Sequence, residues 1–160
     1  LIRNANEDDL SIIAGLVVET QKAHVATCPM RYLPISLKDA KLELLERLNS
    51  PGFIVTEIDG CVVGYAVYNL VTKEQTKILR ARQYCYLQRI GVDIHQLEAG
   101  IRYELIAYVK NECRRLDIDD IELDVWSFND RGQKFFEKVG FESYGFKMKA
   151  SHNKDLKDDC

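Results

Sequence analysis

Two stretches of this chain carry residue types at spacings suited to chemistry. The first is Ile90-Gly91-Val92-Asp93-Ile94-His95-Gln96-Leu97-Glu98-Ala99-Gly100-Ile101-Arg102. It reads as a strand feeding a helix through a loop that holds a glycine. Such a junction aims several backbone N–H groups at one point, and the helix start adds partial positive charge. The chemistry on offer is a seat for phosphate oxygens. The second stretch is Asn129-Asp130-Arg131-Gly132-Gln133-Lys134-Phe135-Phe136-Glu137-Lys138-Val139-Gly140-Phe141. Here Asn129 caps a short helix holding Phe135, Phe136 and Val139, and Gly140 ends it.

The elements that must position these stretches follow from the pattern. A short strand over Leu1–Asn4 precedes Asn6, an N-cap followed by acidic Glu7, Asp8 and Asp9. Leu10, Ile13, Leu16 and Val17 then recur at helical spacing, and that helix fades before Pro29. Ser36 through Asp39 starts a second helix that ends near Asn49-Ser50-Pro51-Gly52. Phe53–Ile58, the Asp59-Gly60 turn and Cys61–Leu70 read as a hairpin. A further strand covers Arg82–Val92, and a helix over Leu97–Leu116 buries Leu97, Ile101, Leu105, Val109 and Cys113 on one face. Ile121–Val125 alternates as a strand, and Phe141 opens a last strand region after the Asn129 helix. Hairpins first and a strand-helix-strand unit late predict a mixed α/β domain.

Composition sets the outer bounds. The chain has 160 residues, 46% of them apolar and 29% charged. That suits one folded domain over 1–150, followed by a polar tail over 151–160. A net charge of -3 offers no basic surface, which excludes a nucleic-acid binder. The apolar runs are far short of a membrane span. The five cysteines, Cys28, Cys61, Cys85, Cys113 and Cys160, show no CxxC spacing. They read as reduced thiols in a cytoplasmic protein, with no metal site.

From Asn129 onward the chain resembles the GNAT family of N-acetyltransferases. Asn129, Gly132, Phe135, Phe136, Gly140 and Phe141 fall on that family's late motif without a gap. Ile2-Arg3-Asn4-Ala5 with Asp9 looks like its opening strand and helix start. Ile58 through Tyr65 looks like its central hairpin, and Val92, Gly100, Ile101 and Leu105 look like its pyrophosphate loop and helix. The resemblance covers nearly the whole chain. It implies a mixed, mostly antiparallel central sheet with flanking helices and a splayed parallel strand pair. Acetyl-CoA would be the cosubstrate, its pantetheine arm lying between the strands at Tyr86–Val92 and Ile121–Val125. Backbone near Ile90 and Val92 would bond the arm's amides. Backbone of Leu97, Glu98, Ala99, Gly100, Ile101 and Arg102 would hold the pyrophosphate. Asn129 would contact the arm, and Phe136 would lie near the sulfur.

Four positions depart from the active pattern. Leu97 and Arg102 stand where the loop ordinarily has a donor and a small residue. The Arg102 side chain either grips phosphate or points to water. Phe136 replaces a tyrosine and cannot protonate a leaving thiolate; Tyr103 and Tyr144 are possible substitutes. Gln88 replaces a glutamate, so it can orient a water but cannot take a proton. Neutralising a lysine-like amine at pH 7 costs about 4 to 5 kcal/mol. Glu57, Asp93, Asp124, His24 and His95 are the groups able to help, and each also reads as an ordinary surface residue. On the acceptor side the resemblance places His24, Tyr32, Tyr65, Tyr68 and Trp126, with the Cys28–Pro34 loop above them.

The sequence thus yields an expectation and an alternative. The expectation is direct attack of a primary amine on acetyl-CoA in a ternary complex, the acceptor being a small molecule or a protein amine. The alternative is a related module that binds acyl-CoA, or a protein partner, with little or no catalysis. Oligomeric state, a homodimer included, is not specified.

Overall fold

The computed structural model describes residues 1–150, with the backbone alone at 97–99; the tail assigned to 151–160 lies outside the described residues. Strand β1 (Ile2–Asn4) runs into a capped turn. The Asn6 side chain accepts from the Asp8 N–H at 2.9 Å, and Asp9 accepts from the Asn6 N–H at 2.8 Å. Asp9 is buried and also takes a two-pronged ion pair from Arg3 at 2.7 and 2.9 Å. That arrangement anchors helix α1 (Leu10–Thr27) to the sheet edge. Helix α2 (Leu37–Leu45) starts at Ser36, whose hydroxyl accepts from the Asp39 N–H.

Strands β2 (Phe53–Ile58) and β3 (Cys61–Lys73) meet through Asp59-Gly60. Both turn residues have positive φ, at 48° and 77°. This is the backbone that a two-residue hairpin demands. Strand β4 (Arg82–Val92) pairs antiparallel with β3, and helix α3 (Ile101–Arg115) leads to β5 (Asp120–Glu122). Helix α4 (Asp130–Lys138) follows. The sheet order is β1-β2-β3-β4-β5, antiparallel except for the parallel β4–β5 pair. Fold class is as the sequence predicts.

Side chains alternate across the strands, so the sheet builds two cores. On one face Leu10, Ile13, Val17 and Leu44 from α1 and α2 pack on Phe53, Val55 and Val67. On the other, Leu105, Val109 and Cys113 of α3 pack on Ile54, Ala66, Cys85 and Leu87. Phe135, Phe136 and Val139 of α4 extend this second core. Among the described residues no helix is long and apolar enough to cross a membrane.

Four expectations are corrected. The helix predicted from Leu97 starts at Ile101, behind a 3-10 segment over Ile94–Ala99. Gly100 separates them with φ at 73°, and apolar spacing alone cannot reveal such a break. The strand predicted over 121–125 is only Asp120–Glu122. From Phe141 to residue 150 no strand is described. Alternating residues make a strand only where an edge accepts them, and β5 is three residues long. Finally, Cys28 is disulfide-bonded, while Cys61, Cys85 and Cys113 are free thiols.

Candidate functional site

The notable feature of the sheet is where one ladder stops. β4 and β5 pair at Tyr84–Asp120, Cys85–Ile121 and Tyr86–Glu122, and then part. Beyond that point β4 continues to Val92 with no strand on its β5 side among the described residues. Two local causes part them. Val67 faces Arg89 while Tyr68 faces Leu87, so Gln88 is an extra residue on β4. Such a bulge bends its strand and increases the local twist. On the other side, the Gln133 amide donates to the Trp126 and Ser127 carbonyls at 3.0 and 2.9 Å. This ties the chain leaving β5 to α4. The result is a cleft whose one wall is strand edge, with unpaired backbone donors and acceptors.

At one end the cleft meets the start of α3. Gly100 holds a left-handed backbone there, and a Cβ added to it would meet no atom within 4 Å. That position therefore has room for a side chain. The Tyr103 and Glu104 N–H groups bond back to the Gly100 carbonyl, leaving the first N–H groups of the helix without an intrahelical acceptor. Arg102 neither points to water nor fills the loop. Its guanidinium lies 5.1 Å from the Phe135 ring centre and is half-buried. Burial, and then the nearby Arg131 guanidinium, hold its pKa below the ordinary arginine value. Neither arginine has an ion pair among the described residues. An uncompensated pair of cations beside a helix start is a fit for phosphate.

Asn129 does not reach across the cleft with its side-chain oxygen. That atom accepts from the Gly132 N–H at 2.9 Å and caps α4. Gly132 is required for this: a Cβ there would sit 2.5 Å from the Asn129 amide nitrogen. Phe136 packs between Phe135 and Phe141, at 5.3 and 5.6 Å between ring centres. Tyr103 packs edge-on to Phe135, and Tyr144 is exposed beside Arg82 and Glu122. Ile90 and Val92 pack against the α3 core. For Leu97, Glu98 and Ala99 the backbone forms the 3-10 segment.

The bulge face holds a polar group. Arg47, from the turn after α2, donates to the Gln88 oxygen at 2.7 Å, and Asn69 donates to the same oxygen at 3.3 Å. The Gln88 oxygen is thus engaged twice. The Tyr86 hydroxyl donates to Asp124 at 2.8 Å. Burial, and then the Asp124 carboxylate, push the Tyr86 phenol up to about 12, so it stays a donor. Of the acids named from sequence, Glu57 pairs with Arg3 on the far edge, and Asp93 caps the His95 N–H. Asp124 alone of the three stands where the strands part.

An aromatic cluster joins α1, the loop after it and the segment after β5. His24 stacks on Tyr32 with 5.0 Å between ring centres, and Tyr32 meets Trp126 edge-on at 6.3 Å. Phe128 stacks on Trp126 at 6.1 Å, and Arg31 lies 4.4 Å from the Trp126 ring centre. Burial holds the His24 pKa below the usual imidazole value. Sequence reasoning reached His24, Tyr32 and Trp126, and the structure brings them together. Tyr65 and Tyr68 are not with them; they are 3% and 6% exposed and belong to the cores. Missed were Arg47, Asn69, Tyr86, Phe128 and Arg131; most carry no sequence signal because their partners lie far along the chain, while Phe128 stacks on Trp126 only two positions away.

The comparisons agree with this fold. The family model "Acetyltransferase (GNAT) family" matches residues 19–141, so the chain belongs to the GNAT acetyltransferase family. No curated protein matches the sequence. Among solved structures, a tetramutant of the BH1408 protein from Bacillus halodurans superposes with a TM-score of 0.89 at 21% identity, covering 94% of this chain and 99% of that one. A possible acetyltransferase from Clostridium difficile 630 gives 0.76 at 19% identity, covering 96% and 97%. An aminoglycoside N-acetyltransferase solved in complex with CoA gives 0.71 at 18% identity, covering 94% and 93%. At these identities the likeness shows the fold alone.

Proposed function

We propose that this protein transfers an acetyl group from acetyl-CoA to a primary amine. The observation that carries the reading is the open β4 edge beyond Tyr86, with the left-handed Gly100 at the start of α3 following it in the chain. An extended thioester arm fits a strand edge, because its amides can bond as a neighbouring strand would. The backbone at Ile90 and Val92 would hold that arm. The N–H groups at Gly100, Ile101 and Arg102 would hold the diphosphate, with the Arg102 and Arg131 guanidiniums supplying positive charge.

The amine attacks the thioester carbonyl directly. A C–N bond forms, the C–S bond breaks, and coenzyme A leaves as thiol or thiolate. A backbone N–H of β4 stabilises the developing oxyanion. The amine must shed a proton, and Asp124, or a water it holds, is the best-placed acceptor. Tyr86 orients that carboxylate. Gln88 positions a water or the amine through its N–H groups, because its oxygen is already engaged by Arg47 and Asn69. Holding both reactants in one cleft supplies much of the acceleration.

One observation favours the second reading, a binding module. Gln88 carries no base and Phe136 carries no hydroxyl, so the two residues nearest the reacting atoms in the expected arrangement move no proton. Calorimetry with acetyl-CoA, followed by thiol release over a panel of amines, separates the readings. Binding with release supports the transferase. Binding without release supports the module. No heat at millimolar acetyl-CoA overturns both.

A further inference from the structure

Beside the cleft stands a charge that neither the fold nor the transfer chemistry uses. Arg31 lies in the loop between α1 and α2 and rests on Trp126, 4.4 Å from the ring centre. Trp126 is 43% exposed, so this contact forms a surface and not a core. Arg31 has no ion pair among the described residues. Other charged groups of the candidate site are engaged. Arg47 bonds Gln88, Arg89 pairs with Glu43, and Asp124 accepts from Tyr86. His24 is stacked on Tyr32, and burial holds its pKa below the usual imidazole value.

A guanidinium laid against an indole face is fixed in orientation, while its edge N–H groups stay free. That fork matches a carboxylate in two parallel hydrogen bonds. A polycation would meet the unpaired Arg31 guanidinium and be repelled. We propose that Arg31, braced on Trp126, binds a carboxylate on the acyl acceptor, so that the acceptor is an amine that also carries a carboxylate, such as a free amino acid, and not a polyamine. This rests on the acetyltransferase reading for the word acceptor. The anion site itself stands on the Arg31–Trp126 geometry alone. Arg31 is then a specificity residue: it selects the acceptor and does no chemistry.

The experiment pairs amino acids with their decarboxylated amines, such as lysine with cadaverine and phenylalanine with phenethylamine. Thiol release from acetyl-CoA gives kcat/KM for each. The carboxylate member should win by at least ~10-fold, the worth of one charge-assisted fork. Arg31→Ala should collapse that ratio to within about twofold, and Arg31→Lys should keep part of it. Equal use of both members by the unaltered protein overturns the inference, as does an Arg31→Ala variant that lowers both members equally. A second readout works without turnover. The chain has one tryptophan, so intrinsic fluorescence reports on Trp126 alone. In CoA-saturated protein the amino acid should change that signal and the decarboxylated amine should not. Such a response without thiol release would leave the carboxylate site standing and remove the transferase reading. No response to any carboxylate would remove the site.

Discussion

The two ends of the cleft are made of different material. The end proposed for the cofactor is main chain: a strand edge that lost its partner, and a helix start with a left-handed glycine before it. The end proposed for the acceptor is side chain: His24, Arg31, Tyr32 and Trp126, drawn from α1, a loop and the segment after β5. Backbone groups are common to every sequence that takes the fold. Side chains are free to change. The contrast explains how one end can serve an invariant ligand while the other selects among acceptors.

The largest expected effect tests the main-chain end. Gly100→Asp places a carboxylate in the space before α3. Two like charges at 4 Å repel by about 4 kcal/mol at an effective dielectric of 20. Acetyl-CoA affinity measured by calorimetry should therefore fall at least ~100-fold. Gly100→Ala, which strains the same positive φ without adding charge, should weaken binding far less. Equal losses for the two variants would mean that backbone strain, not phosphate, is being measured.

Next in size is the side-chain contribution at that same end. Arg102→Ala should weaken acetyl-CoA binding roughly 10-fold. The loss should shrink as salt rises, because screening weakens the unaltered protein's contact. A salt-independent loss would assign Arg102 to packing on Phe135. The third test concerns the join between α4 and the cleft. Gly132→Ala should displace the Asn129 cap and cost about 1 kcal/mol in denaturant unfolding. An unchanged midpoint would show that the cap is not needed.

The smallest effect lies at the acceptor end. Burial holds the folded pKa of His24 below its unfolded value near 6.5. The neutral ring is therefore favoured in the folded chain. Its contribution to stability is complete above the unfolded pKa and is lost as pH falls through the folded one. Unfolding midpoints should drop below about pH 6.5 more in the unaltered protein than in His24→Phe. Identical pH profiles would show that His24 is solvated when folded.

Much of the fold was legible in the sequence, because its signals are local. Asn6, Ser36, Asp59-Gly60, Asn129 and Gly140 each act within four residues, and each stands where expected. The α3 boundary was misread because a 3-10 turn and an α-helix share apolar spacing over six residues. The bulge at Gln88 was invisible: it is a relation between two strands, and no single segment encodes it. The same holds for Arg47 on Gln88 and Tyr86 on Asp124, separated by 41 and 38 positions. Arg31 lay in a loop flagged for its place above the acceptor, but only contact with Trp126 gives it a direction.

The most direct test of the central claim is amide hydrogen exchange with and without acetyl-CoA. The account predicts that amides of Leu87–Val92 and Gly100–Arg102 slow when the ligand is added, while those of β1 and β2 do not change. Exchange at β4 that stays the same in millimolar acetyl-CoA would contradict it.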